Sequence, residues 1–381
     1  MAVFSAQRCK VYIDKKSKKR RLPKKAVFFL TGILLVIVVL LTGLIMILTK
    51  GYEVKDTLKQ LPFGSDAAYF CVGSNIVYAN GDLLTCINAS LDTQWPLQMP
   101  ASGLSYTASD SIIFATGGTM FWALDKNGGL LFFGEVEEGV VIKSARAGLD
   151  MAAIYVDQPL PDNTLSYIEV FDLKGTMLYQ LPVTGRNILD YGFDAQSDLL
   201  YLLELDVDGA APVSRISTYR PETQSMTGIN DLKDQLVSRV YLTGNQIYAL
   251  GTDYLTTFTA LRQSQKRLIY GWVAEDICTD SDLPVFVYVQ SAEMGGALSV
   301  ARIIRSSGDE IKINLPPGVF SVLHTKEKIY CFASDSIFVY TVEGKYQRTH
   351  SLPFEVTRVQ KAMDGYAFLT SGESVYLLPL P

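Results

Sequence analysis

Hydrophobic positions follow two regimes along this chain. Residues 26–49 read AVFFLTGILLVIVVLLTGLIMILT, 24 positions without a charge. At about 1.5 Å per residue such a helix spans roughly 36 Å, more than the ~30 Å hydrocarbon core of a bilayer, so the segment predicts one transmembrane helix. From about residue 66 onward the pattern changes. Apolar and β-branched or aromatic residues alternate with polar ones over short stretches, broken by Gly, Ser, Asp or Asn. That period of two, with turn residues between, predicts strands. The one helical candidate in this region is NDLKDQL (230–236) on a connecting loop.

The strands recur as a unit. LSYTASDSIIFATGGTMFWALDKNGGLLFFGEV (104–136) compares with SRVYLTGNQIYALGTDYLTTFTALRQSQKRLIYGWV (238–273), with SVLHTKEKIYCFASDSIFVYTVEGKYQRTHSLP (321–353) and with AYFCVGSNIVYANGDLLTCINASLDTQWPL (68–97). Each reads as four strands with polar turns. The second strand is the sharpest: IIFAT, QIYALG, KIYCFA, NIVYAN and GYAFLT. Units starting near 66, 104, 140, 187, 236, 277, 319 and 357 have the spacing of propeller blades of about 40–45 residues. The fold expected is therefore all-β, an eight-bladed β-propeller; seven is the alternative count if 140–235 holds one long blade and a half-formed one. The last unit supplies three strands, and Tyr52–Leu61 is expected to add the fourth and close the ring, which removes exposed sheet edges. KDTLKQL (55–61) reads equally as a short stalk helix.

Charge orients the two regimes. Ten basic residues precede the apolar run, among them Lys18, Lys19, Arg20, Arg21, Lys24 and Lys25, and only Asp14 opposes them. Residues 50–381 hold 24 Lys and Arg against 38 Asp and Glu, a balance of −14. By the positive-inside rule residues 1–25 form a basic cytoplasmic tail, 26–49 an uncleaved signal anchor, and 50–381 an extracytoplasmic domain at the plasma membrane. The acidic balance disfavours nucleic acid as a partner. The lipid bilayer is the partner of residues 26–49.

ALDKNGGLLF (123–132), VFDLKGTMLY (170–179) and NASLDTQW (88–95), which keeps Trp95, approximate one turn motif. The motif resembles the A-x-D-x-x-T-G-x-x-x-W repeat of pyrroloquinoline-quinone-like propellers. That family includes quinoprotein dehydrogenases and the eight-bladed lipoprotein of outer-membrane protein assembly. The anchor plus ring also resembles membrane-anchored propeller proteins of Gram-positive bacteria that form a domain of unknown function. The resemblance implies that the aspartate and glycine shape the turn between strands 3 and 4, and that the aromatic packs between blades. It does not carry quinoprotein chemistry. The vicinal cysteine pair is missing, since Cys9, Cys71, Cys86, Cys278 and Cys331 are isolated, and fold alone does not imply function.

Candidate chemistry is thin. The only histidines are His324, expected at the end of an inner strand, and His350, expected on a solvated outer strand. Cys71 and Cys86 fall on the first and third strands of one blade, too far apart for a disulfide. ELDVDG (204–209) opens like a calcium loop, but Arg215 stands where the bidentate acid belongs. EVEEG (135–139) and DSD (280–282) bring carboxylates together without a visible cleft. No cofactor, metal or catalytic residue is expected. The expected function is a non-enzymatic protein-interaction scaffold in the bacterial cell envelope, with an unidentified envelope protein as partner and Trp95, Tyr219 and Arg220 as candidate contacts. The alternatives are an envelope enzyme or small-ligand receptor using the central channel, and a transmembrane sensor signalling through the basic tail.

Overall fold

The computed structural model describes residues 54–381, apart from 184–186, 195, 197–198, 208, 210, 234, 245, 260–261, 280–282 and 292–296. The predicted membrane helix and its basic flank from Lys18 to Lys25 lie outside the described residues. Among the described residues no helix is long and apolar enough to cross a membrane.

Among the described residues thirty-two strands pair antiparallel into eight four-stranded sheets. Blades 1 to 7 are continuous in sequence: 69–98, 105–135, 141–183, 187–233, 237–268, 273–314 and 319–351. Blade 8 takes its first three strands from 358–379 and its outermost from Lys59–Gly64. The first strands of successive blades neighbour one another and so surround the channel. Simple up-and-down order puts the turns between strands 1 and 2 and between 3 and 4 on one face, here the lower. The turns between strands 2 and 3 and the connectors between blades lie on the upper face.

The ring closes further along the chain than Tyr52–Leu61. Val54–Thr57 makes a single helical turn, with Leu58 N–H donating to the Val54 carbonyl (3.0 Å), and the strand follows at Lys59–Gly64. Both readings of this segment are thus realised, one after the other. The core selects the register. Leu61 is buried with Ile76, Ile87, Val375 and Leu377, which joins blade 8 to blade 1. The closing ladder is sparse: Lys59 pairs with Leu377, Gln60 with Tyr376 and Gly64 with Ser374, with a shift between.

The core is a series of apolar slabs between adjacent blades. Ile113, Trp122 and Leu124 join blades 1 and 2; Phe121, Phe132 and Phe171 join blades 2 and 3; Leu203, Ile216 and Val240 join blades 4 and 5. Each fully buried side chain of this size contributes about 1.5–3 kcal/mol. Second strands pack on both faces, which is why they are the most apolar in each repeat. NDLKDQL is not helical, because 230–233 continues the outermost strand Ser225–Lys233, whose Leu232 is buried in the slab with blade 5.

The turn motif works as the resemblance implies. Asn88, Asp125, Asp172 and Thr341 each accept two backbone N–H groups from the turn between strands 3 and 4, at 2.7–3.3 Å. Such side-chain acceptors stabilise the turn in place of a ladder. Left-handed Gly128 (φ +80°) and Gly175 (φ +78°) then lie flat against an aromatic of the preceding blade. A methyl on Gly128 would come within 2.9 Å of Trp95, and one on Gly175 within 2.9 Å of Phe132. Trp95 Nε1–H donates to the Lys126 carbonyl (3.2 Å). At the closure Lys59 Nζ does the same work by donating to the Ala89 carbonyl (2.8 Å).

Blade 6 begins at Val273, not near 277. Its inner strand VAEDIC carries two carboxylates, which a strand bordering the channel tolerates and a purely apolar pattern hides. The inner strands of blades 3 to 7 run six or seven residues and each contains a β-bulge. Those of blades 8, 1 and 2 run four residues without one.

Candidate functional site

The channel walls carry charge on blades 3 to 6 and 8, and the described carboxylates there are engaged. Arg146 Nη2 of blade 3 donates to Asp190 Oδ1 of blade 4 (3.0 Å), and its Nε donates to the Tyr191 carbonyl (3.0 Å). Tyr201 OH donates to Asp190 Oδ2 (2.8 Å), and Ser144 Oγ–H donates to Tyr191 OH (3.2 Å). Burial pushes the Tyr191 phenol up to about 12; burial and then the Asp190 charge push Tyr201 up as well. Both stay neutral near pH 7. Glu275 Oε1 of blade 6 accepts from Ser321 Oγ–H (2.8 Å) and Val322 N–H (3.3 Å), and Asp276 accepts from His324 N–H (3.1 Å). These groups tie one inner strand to the next. Among the described residues no group of three His, Cys, Asp or Glu side chains is placed to hold a metal ion.

The lower mouth of the channel holds a cavity of about 960 Å³ bordered by Cys71, Asp110, Lys126, Lys361, Asp364 and Tyr366. Burial pushes the Cys71 thiol up to about 12, which leaves it no thiolate near neutral pH. Cys71, Cys86 and Cys331 are free thiols.

The upper face differs in character. Apart from Leu83, its exposed large apolar side chains fall on blades 3 to 6: Val141, Leu160, Leu165, Val207, Leu236, Leu268, Tyr270 and Val273. The densest group sits on the connector between blades 5 and 6. Ile269 is buried and its N–H donates to the Asp253 carbonyl (2.7 Å), which pins the turn. Trp272 N–H then donates to the Ile269 carbonyl (2.9 Å) across left-handed Gly271 (φ +79°). This tight turn holds Tyr270 outward, 75% exposed, beside Val273 at 65%. Arg302 and Lys312 each lie 5.7 Å from the Trp272 ring. Arg302 Nη1 donates to the Leu268 carbonyl (2.7 Å), and its Nη2 pairs with Glu310 (2.6 Å). That partner holds the Glu310 carboxyl below its ordinary range. Rigid aromatic and arginine side chains of this kind dominate protein-binding surfaces.

The predicted contacts sit elsewhere and apart. Trp95 is half-buried under the Gly128 turn. Tyr219 is 5% exposed, packed beside Tyr179 between blades 3 and 4, so it is a core residue rather than a contact. Arg220 is exposed at the lower end of blade 4. His350 is buried, not solvated, since it lies opposite Ile337 on the inward side of its strand. His324 is 3% exposed. Glu204 lies buried in the ladder opposite Arg215, so the first three residues of ELDVDG, Glu204 to Asp206, end a strand rather than open a calcium loop. The DSD carboxylates lie outside the described residues. The YGW triplet was the legible signal of the upper patch, but LIYGWV reads as strand unless Gly271 is taken as a turn.

No family model matches this chain, and no curated protein matches it. Solved structures do. BamB from Moraxella catarrhalis aligns with a TM-score of 0.50 at 13% identity, over 85% of this chain and 96% of that one. The C-terminal WD40 domain of Sif2 aligns with a TM-score of 0.55 at 11% identity, over 85% and 98%. The computationally designed Ika8 protein aligns with a TM-score of 0.53 at 14% identity, over 84% and 98%. These likenesses define the class: an eight-bladed β-propeller similar to BamB and to WD40 rings. At such identities they show the fold alone.

Proposed function

We propose that this chain is a membrane-anchored extracytoplasmic propeller that serves as a non-enzymatic protein-interaction scaffold of a bacterial cell envelope. The observation that carries the reading is the apolar sector of the upper face, centred on Tyr270, Trp272 and Val273. Propellers hold many loops rigidly, and this sector gathers Leu268, Tyr270 and Val273, each more than half exposed, around one connector. The anchor rests on the apolar run 26–49 and the basic residues Lys18 to Lys25. The channel carboxylates are occupied in holding strands together.

Photo-crosslinking in intact cells tests it. A photoreactive residue at Tyr270 is expected to capture one envelope protein reproducibly, and Trp272→Ala to abolish that adduct. The same probe at Lys174 on the lower face is the control. Equal capture at both positions sinks the assignment. Protease treatment of protoplasts checks the topology: the C-terminal domain is expected to be digested.

A second reading, a small-ligand receptor, is favoured by the lower-mouth cavity with Asp110, Lys126, Lys361 and Asp364 at its rim.

A further inference from the structure

Eight outermost strands expose their edges on the rim, and seven are protected against pairing. Pro96 interrupts the edge of blade 1, Pro182 that of blade 3 and Pro62 that of blade 8. Asp231, Lys266, Lys312 and Arg348 place a charge inside the outer strands of blades 4, 5, 6 and 7. Prolines and charges are the usual guards of an open sheet edge. Blade 2 has neither. Its outer strand Leu130–Glu135 reads LLFFGE, with no proline and its only charge at the last position. Leu130 is 57% exposed and Phe133 63%.

The ladder shows which backbone groups are open. Val136 N–H donates to the Thr119 carbonyl (2.9 Å), so residues 136, 134 and 132 face strand 3. In antiparallel pairing the intervening residues turn the other way, so Phe133 and Glu135 point their N–H and C=O groups off the rim.

We infer that the outer edge of blade 2 is a strand-addition site for an extended segment of a partner polypeptide, bound antiparallel, with alternating apolar residues and basic residues at its N-terminal end. The open ladder groups require a strand as occupant. Six residues span about 20 Å, and two rigid rings meeting along one such edge fall short of the roughly 1,200 Å² of a stable interface. A flexible segment gains the ladder bonds without that demand. Exposed Glu137 and Glu138 follow Glu135 at the upper end of the strand. They lie where the N-terminal end of an antiparallel segment arrives, and they favour positive charge there. The site is on the rim and does not depend on the upper-face reading.

The test uses the full-length protein in detergent micelles and a fluorescein-labelled nonapeptide, two lysines followed by alternating valine and threonine. Fluorescence anisotropy is expected to show saturable binding, and hydrogen exchange at Phe133 and Glu135 to slow by about tenfold or more. Phe133→Lys is expected to weaken binding about tenfold or more, and Ile229→Lys on the exposed edge of blade 4 to leave it unchanged. Exchanging the two lysines for glutamates is expected to weaken it about fivefold. No saturable binding up to about 1 mM overturns the inference. So does binding that Phe133→Lys leaves intact. Sedimentation showing a dimer that Phe133→Lys dissolves would make a second copy the occupant and overturn it as well.

Discussion

Two halves of the ring are built differently. Blades 3 to 7 have long, bulged inner strands, and the bulges leave Lys143, Leu189, Ser238, Glu275 and Phe320 outside the ladder beside the channel. Ion pairs and carboxylate–amide bonds link these strands at blades 3 and 4 and at blades 6 and 7. Blades 8, 1 and 2 have short, regular inner strands, with Tyr69 OH donating to Gln360 Oε1 (2.7 Å) across the closure. The upper-face apolar residues concentrate on the bulged half, whereas the closing strand and the unguarded rim edge belong to the plain half. A bulge re-aims side chains at some cost in pairing. The bulged half therefore carries the upper-face features, while the plain half closes the ring and leaves one rim edge open.

The comparison breaks most readily at the closure. Leu61→Ala is expected to cost about 2–5 kcal/mol, read as a lower denaturant midpoint. Hydrogen exchange is expected to show Lys59–Gly64 opening before any strand of blades 3 to 7. If the bulged half opens first, the contrast between the halves fails.

Gly128→Val comes next, at about 2–4 kcal/mol. A side chain there meets both the left-handed backbone and the Trp95 ring. Adding Trp95→Ala is expected to recover part of the loss, which a double-mutant cycle measures; strict additivity would rule out the docking.

Arg146→Met tests the bulged half. It removes a partly exposed pair and bonds to two strands, for about 1 kcal/mol, less at high salt. Tyr69→Phe on the plain side removes one neutral bond and is expected to cost somewhat less. Equal, salt-independent losses would blur the distinction.

The thiols supply the smallest effect. Burial raises Cys86 to about 11 and Cys71 and Cys331 to about 12, above the value of 9.0 for a free thiol. Folding thus favours the neutral form. The stabilisation is complete below about pH 8 and is lost as the pH rises through 9 toward 12. Between pH 8 and 9 the three thiols together are expected to cost about 1 kcal/mol. Cys71→Ser with Cys86→Ser, both in blade 1, should remove about two thirds of that slope.

The repeats were legible because second strands such as Ile112–Gly117 and Lys328–Ala333 bury both faces. Such strands have to be apolar throughout. Turns such as Asp125–Gly129 were legible because their side-chain bonds are local. The start of blade 6 was not, since Glu275 and Asp276 break the apolar pattern and their partners come from blade 7, 46–48 residues away. Nor was the burial of Tyr219 and His350, where alternation alone leaves open which side faces the next blade. The upper patch was hidden inside an apolar run that reads as strand until Gly271 turns it outward.

Local patterning by itself determined the strand repeat, the eight-fold count and the turn chemistry, because period, bulk and turn residues act within a few positions. Packing between blades decided the rest. It selected Leu61, not an earlier residue, to seal the ring. It sent Tyr219 inward and Tyr270 outward. Those outcomes depend on contacts between residues tens to hundreds of positions apart, and no short window of sequence contains both partners.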